Sequence, residues 1–210
     1  MTTPVIHYTD MKSPFAYLAL ADIHRIEDTY DVAMSWRHYT LHIEEYFGAV
    51  GERSERNWSK IRYLYQDARR LANRQGLTVF GPEKVYRSRI AGIAMLWAER
   101  HGRLRPYLNT GFECFFKRDF DLDSIDAVEA MLDSVAVPIA GFRDFLEGEG
   151  AERHDVERAD ADAHGVFGAP TLVLGDEIFW GGDRLWMLEE RLRELGLAHS
   201  TGLTEEEPAP

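Results

Sequence analysis

The sequence predicts an α/β fold in two separated halves, and three observations carry that prediction. Residues 1–39 read as strand, helix, strand; residues 40–159 show helical periodicity alone; the chain then returns to two short strands and a last helix.

The opening run Pro4-Val5-Ile6-His7-Tyr8 is β-prone and is punctuated by Asp10 to Ser13. Ser13-Pro14 then starts a helical stretch from Phe15 to about Asp28, since serine is a good cap and proline a good first helical residue. From Asp31 to Tyr39, Val32, Met34, Trp36 and His38 alternate with Ala33, Ser35 and Arg37, the period of a strand. Two strands joined through a helix imply parallel pairing.

Beyond Thr40 the apolar residues recur at spacings of three and four. Trp58, Ile61, Tyr65, Ala68 and Ala72 form one stripe, and Tyr86, Ile90, Ile93, Ala94 and Trp97 a second. A third comprises Leu104, Tyr107, Leu108, Gly111, Phe112, Phe115 and Phe116, with Cys114 off it. Strands return at Thr171–Leu174 and Glu177–Trp180, where Gly175-Asp176 suits a tight type II′ turn. A helix from Asp183 to about Leu195 carries Leu185, Leu188, Leu192 and Leu195 on one face. Thr201 to Pro210 has no apolar period and reads as a disordered tail. This order is the thioredoxin-like topology, with residues 1–39 and 160–199 as scaffold and 40–159 as a helical insertion.

A net charge of -12 disfavours phosphate backbones and anionic membrane surfaces, so neither nucleic acid nor a membrane is expected as a partner. The longest apolar run, Ile90 to Ala98, is too short to span a bilayer and the N-terminus has no basic leader, which gives a cytoplasmic expectation. A lone cysteine, Cys114, excludes an intramolecular disulfide, a CxxC pair and a cysteine-rich zinc site. The histidines show no metal-ligand spacing, so no metal is expected.

Three loops remain for chemistry. Ser13 is fully accounted for as a helix cap, yet it also stands where a first strand meets the positive end of a first helix, a place that stabilises an anion. Pro170, in Gly165-Val166-Phe167-Gly168-Ala169-Pro170-Thr171, begins a strand. Asp183, in Phe179-Trp180-Gly181-Gly182-Asp183-Arg184-Leu185, is either a cap or a partner for a ligand ammonium, with the Gly182 and Asp183 amides free to hold a carboxylate.

Together these segments resemble the 2-hydroxychromene-2-carboxylate isomerase family, relatives of kappa-class glutathione transferases and DsbA-like oxidoreductases, over residues 4 to 197. Asp10, Ser13-Pro14, Phe15 and Tyr17-Leu18 match its N-terminal motif, and the other two loops match its later motifs. Lys60, Tyr63, Asp67, Arg70 and Gly76-Leu77 resemble its insertion helix. The resemblance implies that glutathione, or another low-molecular-weight thiol, lies along Ala169, Pro170, Gly182 and Asp183, reached by Lys60, with its sulfur against Ser13. It implies a cis peptide at Ala169-Pro170, a homodimer, and a conjugated aromatic carbonyl substrate walled by Phe15, Tyr39 and Trp180.

Two departures stand out. Glu55-Arg56-Asn57-Trp58 replaces the family's Gly-Asn-x-Pro-Pro loop, and Trp36-Arg37-His38-Tyr39 is as similar to the DsbA-like branch as to the isomerases. Isomerisation, thiol conjugation and a non-catalytic thiol-binding module all remain open on these residues.

Overall fold

The structure is a computed structural model that describes residues 2–199. β1 (Thr3–Thr9), α1 (Pro14–Thr29) and β2 (Val32–His38) form the expected unit, with β1 and β2 parallel and Val5 opposite Met34. β3 (Thr171–Leu174) and β4 (Glu177–Trp180) form an antiparallel hairpin, and β3 also runs antiparallel to β1. The described strands therefore make one sheet in the order β2-β1-β3-β4. Gly175 takes the positive φ, 59°, that the first central position of a type II′ turn requires.

The insertion is helical throughout: α2 (Ile43–Phe47), α3 (Glu55–Arg74), α4 (Arg89–Arg100), α5 (Leu104–Lys117), α6 (Ile125–Ser134), α7 (Phe142–Glu147) and α8 (Glu149–Ala163). α9 (Leu185–Glu194) follows β4. Every residue of α4 from Ala91 to Ala98 is buried, which makes it the central helix of the insertion. Tyr17 of α1 stacks on Phe112 and Phe116 of α5 at 5.6 and 5.3 Å between ring centroids. Such pairs add about 0.5–1.5 kcal/mol each beyond their buried area.

Scaffold and insertion share one core that runs from Val5 and Ile23 through Ala94 and Phe112 to Leu172. The expected boundary at residue 160 is no break, because α8 crosses it. A smaller core beneath the sheet gathers Tyr8, Tyr39, Ala161, Val166 and Val173. The expected tail at 200–210 lies outside the described residues. No described helix is long and apolar enough to cross a membrane.

Helix starts differ from the periodicity in two places. Tyr86 precedes α4 rather than opening it, because Ser88 sits at φ 57° and the Arg87 and Ser88 amides donate to Asp123 Oδ1 at 2.9 and 3.2 Å. α9 begins at Leu185, after a 3-10 turn over Gly182–Arg184.

Candidate functional site

Ser13 sits where β1 hands over to α1. Its backbone is extended (φ -83°, ψ 113°), its amide donates to the Asp10 carbonyl at 2.9 Å, and its Oγ accepts from the Ala16 amide at 3.2 Å. The same Oγ donates to the Ala169 carbonyl at 2.8 Å, across 156 residues of sequence. Cap and cross-link thus use one hydroxyl, which is 4% exposed. Pro14 has no N–H, so the Phe15 amide is left in the first turn with no acceptor among the described residues.

The facing loop is built on Ala169-Pro170, whose peptide bond is cis. Thr171 Oγ1 ties back to the Gly168 carbonyl at 2.7 Å, and the Pro170 carbonyl accepts from the Gly181 amide at 2.9 Å. That bond draws in the turn after β4. Gly182 lies so close to α1 that an added Cβ would stand 3.1 Å from Ala19 Cβ. Ala169 thus meets Ser13 directly, while Pro170 holds the turn that lays Gly182 along α1 at Ala19. Asp183 does not cap α9: its exposed carboxylate pairs with Arg184, the residue in the cap position.

Outside this contact lies an aromatic rim. Trp180 and Phe167 are 52% and 50% exposed and meet edge to face at 4.8 Å between centroids. Gly168 makes room for the indole, since a Cβ there would fall 2.5 Å from Trp180 Nε1. The Tyr46 hydroxyl of α2 donates to the Phe167 carbonyl. Tyr39, expected as a third wall, belongs instead to the small core. It is 4% exposed, its hydroxyl donates to the Val166 carbonyl at 3.2 Å, and Arg158 covers its ring. The physical reason is that the Tyr39 amide donates to the Thr9 carbonyl at 2.8 Å, which extends the β1–β2 ladder by one residue, and Tyr39 packs with Tyr8, Ala161 and Val166 in the small core.

Lys60 is exposed on α3 and bonds neither to the Ser13 turn nor to the 168–170 loop. α3 packs through Ala68 and Ala72, and Lys60 lies about 80° round the helix from Ala68. Asn57 is occupied structurally: its side chain donates to the Phe47 carbonyl at 3.1 Å and ties α3 to α2.

Sequence reasoning assigned no role to Lys12, which the structure buries beside Ser13. Its ammonium donates to the Tyr86 and Arg87 carbonyls at 3.1 and 3.3 Å and stands 3.4 Å from Asp10 Oδ2. Asp10 is fully buried and also accepts from the Lys12 and Leu41 amides at 3.1 and 2.8 Å. Burial opposes its charge, but Lys12, His38 and the Leu41 amide outweigh it and hold the carboxyl's pKa at about 2. Met11 enters α5 at Gly111, where a Cβ would lie 2.7 Å from its methyl carbon. The insertion therefore grips the Asp10–Ser13 turn through Met11 and Lys12.

Cys114 lies on α5, and burial, with Glu113 and Asp119 alongside, pushes its thiol above the ordinary range. No cluster of metal-ligating side chains occurs among the described residues. A concavity of about 500 Å³, lined by Thr3, Leu174, Glu177 and Arg191, opens at the sheet end opposite Ser13. The Ser13 site is thus a surface seam between loops, not that cavity.

Residues 4–193 match the family described as DSBA-like thioredoxin domain. A 2-hydroxychromene-2-carboxylate isomerase of Pseudomonas putida is 30% identical over 192 residues, covering 90% of this chain and 93% of the relative. A solved 2-hydroxychromene-2-carboxylate isomerase superposes with a TM-score of 0.73 at 29% identity, over 92% of this chain and 96% of that one. A probable DsbA oxidoreductase from Streptomyces coelicolor superposes with a TM-score of 0.70 at 15% identity, over 99% and 96%, which shows the shared fold alone.

Proposed function

This chain belongs to the DSBA-like thioredoxin domain family and, within it, to the 2-hydroxychromene-2-carboxylate isomerase family, and from that premise we propose that it is a glutathione-dependent isomerase of a conjugated aromatic carbonyl compound. The observation that supports this most is the 2.8 Å bond from the Ser13 hydroxyl to the Ala169 carbonyl, at the N-terminus of α1 and beside Pro170. The donor set suits a thiol peptide: a carbonyl on an open loop edge, a free first-turn amide, and a hydroxyl whose proton can be redirected.

Ser13 has one proton and here gives it to Ala169. A ligand N–H placed on the Ala169 carbonyl takes over that role and releases the Ser13 proton toward a sulfur. Bound glutathione supplies a nucleophilic thiolate that adds reversibly to a conjugated carbonyl. Ser13 and the α1 end hold that charge: about 1.5–3 kcal/mol from a hydrogen bond to an anion and up to about 1 from the helix end. Their sum covers the roughly 2.7 kcal/mol needed to lower a thiol pKa by about two units. Gly182 and Asp183 hold the γ-glutamyl end, Lys60 reaches the peptide, and Phe15, Trp180 and Phe167 face the flat substrate.

The proposal excludes disulfide oxidoreductase activity, because one cysteine on α5 cannot cycle as a dithiol. It also takes the chain to be a homodimer, which sedimentation at micromolar concentration checks. Its direct test is isothermal titration with glutathione, followed by turnover of 2-hydroxychromene-2-carboxylate with and without the thiol. Absence of binding, or turnover that ignores glutathione, overturns it. Accumulation of a stable thiol adduct would point to conjugation.

A further inference from the structure

We propose that His38 and His154 are positioning residues for Ser13: with Arg89 they form a one-directional hydrogen-bond relay whose last N–H, on His38 Nε2, faces the Asp10 carboxylate at 3.7 Å and steadies the turn presenting the Ser13 hydroxyl. The proposal rests on the thiol-site reading for its chemical consequence, while its structural part stands alone.

The direction of the relay follows from Arg89, because a guanidinium carries donors only. Arg89 Nη1 lies 2.8 Å from His154 Nδ1, so that nitrogen accepts and the neutral ring carries its proton on Nε2. Asp155 Oδ1 is farther from the same nitrogen, at 3.5 Å, and is itself paired with Arg89. His154 Nε2 is 3.0 Å from His38 Nδ1 and donates to it. The His38 proton is then on Nε2, which faces Asp10 Oδ1 at 3.7 Å and has no hydrogen-bond partner. Thr40 Oγ1 bridges the pair, 3.3 Å from His38 Nδ1 and 3.4 Å from His154 Nε2.

Both rings are buried, and α4 is shaped around one of them: a Cβ on Gly92 would stand 2.3 Å from His38 Cγ. Burying two imidazoles where aliphatic side chains would fill the space costs solvation of four ring nitrogens. The return is at Asp10, whose carboxylate holds the Lys12 and Leu41 amides while its carbonyl holds the Ser13 amide. Burial above all, then His38 and Arg89, lowers the His154 pKa to about 4, so the neutral ring that the relay needs is present at neutral pH.

Nitrogen-15 NMR of the histidine rings in the ligand-free protein tests the relay directly. The expected result is an Nε2–H tautomer for both rings. Arg89→Met, at the half-exposed end of the chain, frees His154 Nδ1, redistributes its tautomers and shifts the Ser13 amide resonance. Arg89→Lys, still a donor, restores both. With glutathione bound, Arg89→Met raises the pKa of the bound thiol, read from its ultraviolet absorbance, and Arg89→Lys brings it back. An Nδ1–H tautomer on either ring, or an Arg89→Met protein with the parent's Ser13 amide shift and thiol pKa, overturns the proposal. A parent protein that binds no glutathione, yet shows the expected tautomers and amide shift, sinks the thiol reading and leaves the relay standing.

Discussion

On the α1 side of the candidate site, Asp10, Lys12 and Ser13 are buried and bonded to groups on α1, the loop after β2, the loop before α4 and the Ala169 loop. On the β4 side, Trp180, Phe167 and Asp183 are half exposed or more; the two rings meet each other at the surface and Asp183 pairs only with the adjacent Arg184. The inner side is set before any ligand arrives, since moving one member leaves buried charge or carbonyls unmatched. The outer side can adapt, because its groups are solvated in either arrangement. Changes inside should therefore alter stability and thiol chemistry together, and changes outside should alter binding alone.

The strongest way to break this contrast is Lys12→Met, which leaves the Asp10 carboxylate without its ammonium and the Tyr86 and Arg87 carbonyls without their donor. It should cost about 3–5 kcal/mol in urea unfolding, and a loss below about 1 kcal/mol would show that the inner side is not held by this charge.

Acid should act next. His154 and the buried His7 of β1 have pKa values lowered to about 4 and about 3, each by burial first and then by a neighbouring histidine. Unfolding lets each take a proton near pH 6.5, so the unfolded state binds more protons below that pH and stability falls as pH falls. The slope is about 1.4 kcal/mol per pH unit for each ring, ending near pH 4 for His154 and near pH 3 for His7. The Asp10 pKa is lowered as well, which for an acid is a stabilising contribution: it is complete above the ordinary pKa and is lost as pH falls toward about 2. Unfolding measured from pH 7 to 4 should flatten by one ring's slope in His154→Gln.

A smaller effect sharpens the role of Ser13. Ser13→Ala removes the cap and the bond to Ala169 and should cost about 2 kcal/mol, whereas Ser13→Gly, a better cap than alanine, should lose mainly the Ala169 bond, about 1 kcal/mol. Both should raise the bound-glutathione pKa and slow turnover by roughly ten- to a hundredfold. Unchanged thiol pKa and turnover in both variants would leave Ser13 as a cap and strut only.

The smallest effects belong outside. Asp183→Asn and Lys60→Ala should leave the unfolding midpoint unchanged and weaken glutathione binding about fivefold each. Titration calorimetry decides this residue by residue, and an unaltered affinity in Lys60→Ala would return that lysine to the solvated face of α3.

Local pattern was enough for the strands, the parallel pairing of β1 and β2, the helical nature of 40–159, the Gly175 turn and the cap at Ser13. Each depends on periodicity or on contacts within three or four residues, which a sequence displays directly. Ser13, Phe15, Ala169, Pro170, Trp180, Gly182 and Asp183 were singled out by three short motifs, and of these the structure joins Ser13 to Ala169 and, through Pro170, draws Gly182 onto α1. Phe167 stood inside one of those motifs and could have been read from it, whereas Tyr46 on the short α2 carried no signal. Tyr39 was misplaced because alternation says that a side chain leaves the sheet but not which core awaits it. Tertiary structure alone decided the rest. Lys12 is buried because carbonyls 74 and 75 residues away accept its N–H bonds, just ahead of α4. His38 and His154 meet across 116 residues, in a space that Gly92 leaves open. A charged or titratable side chain looks the same in sequence whether solvated or buried; only the partners that folding brings to it determine its burial, its charge and its use.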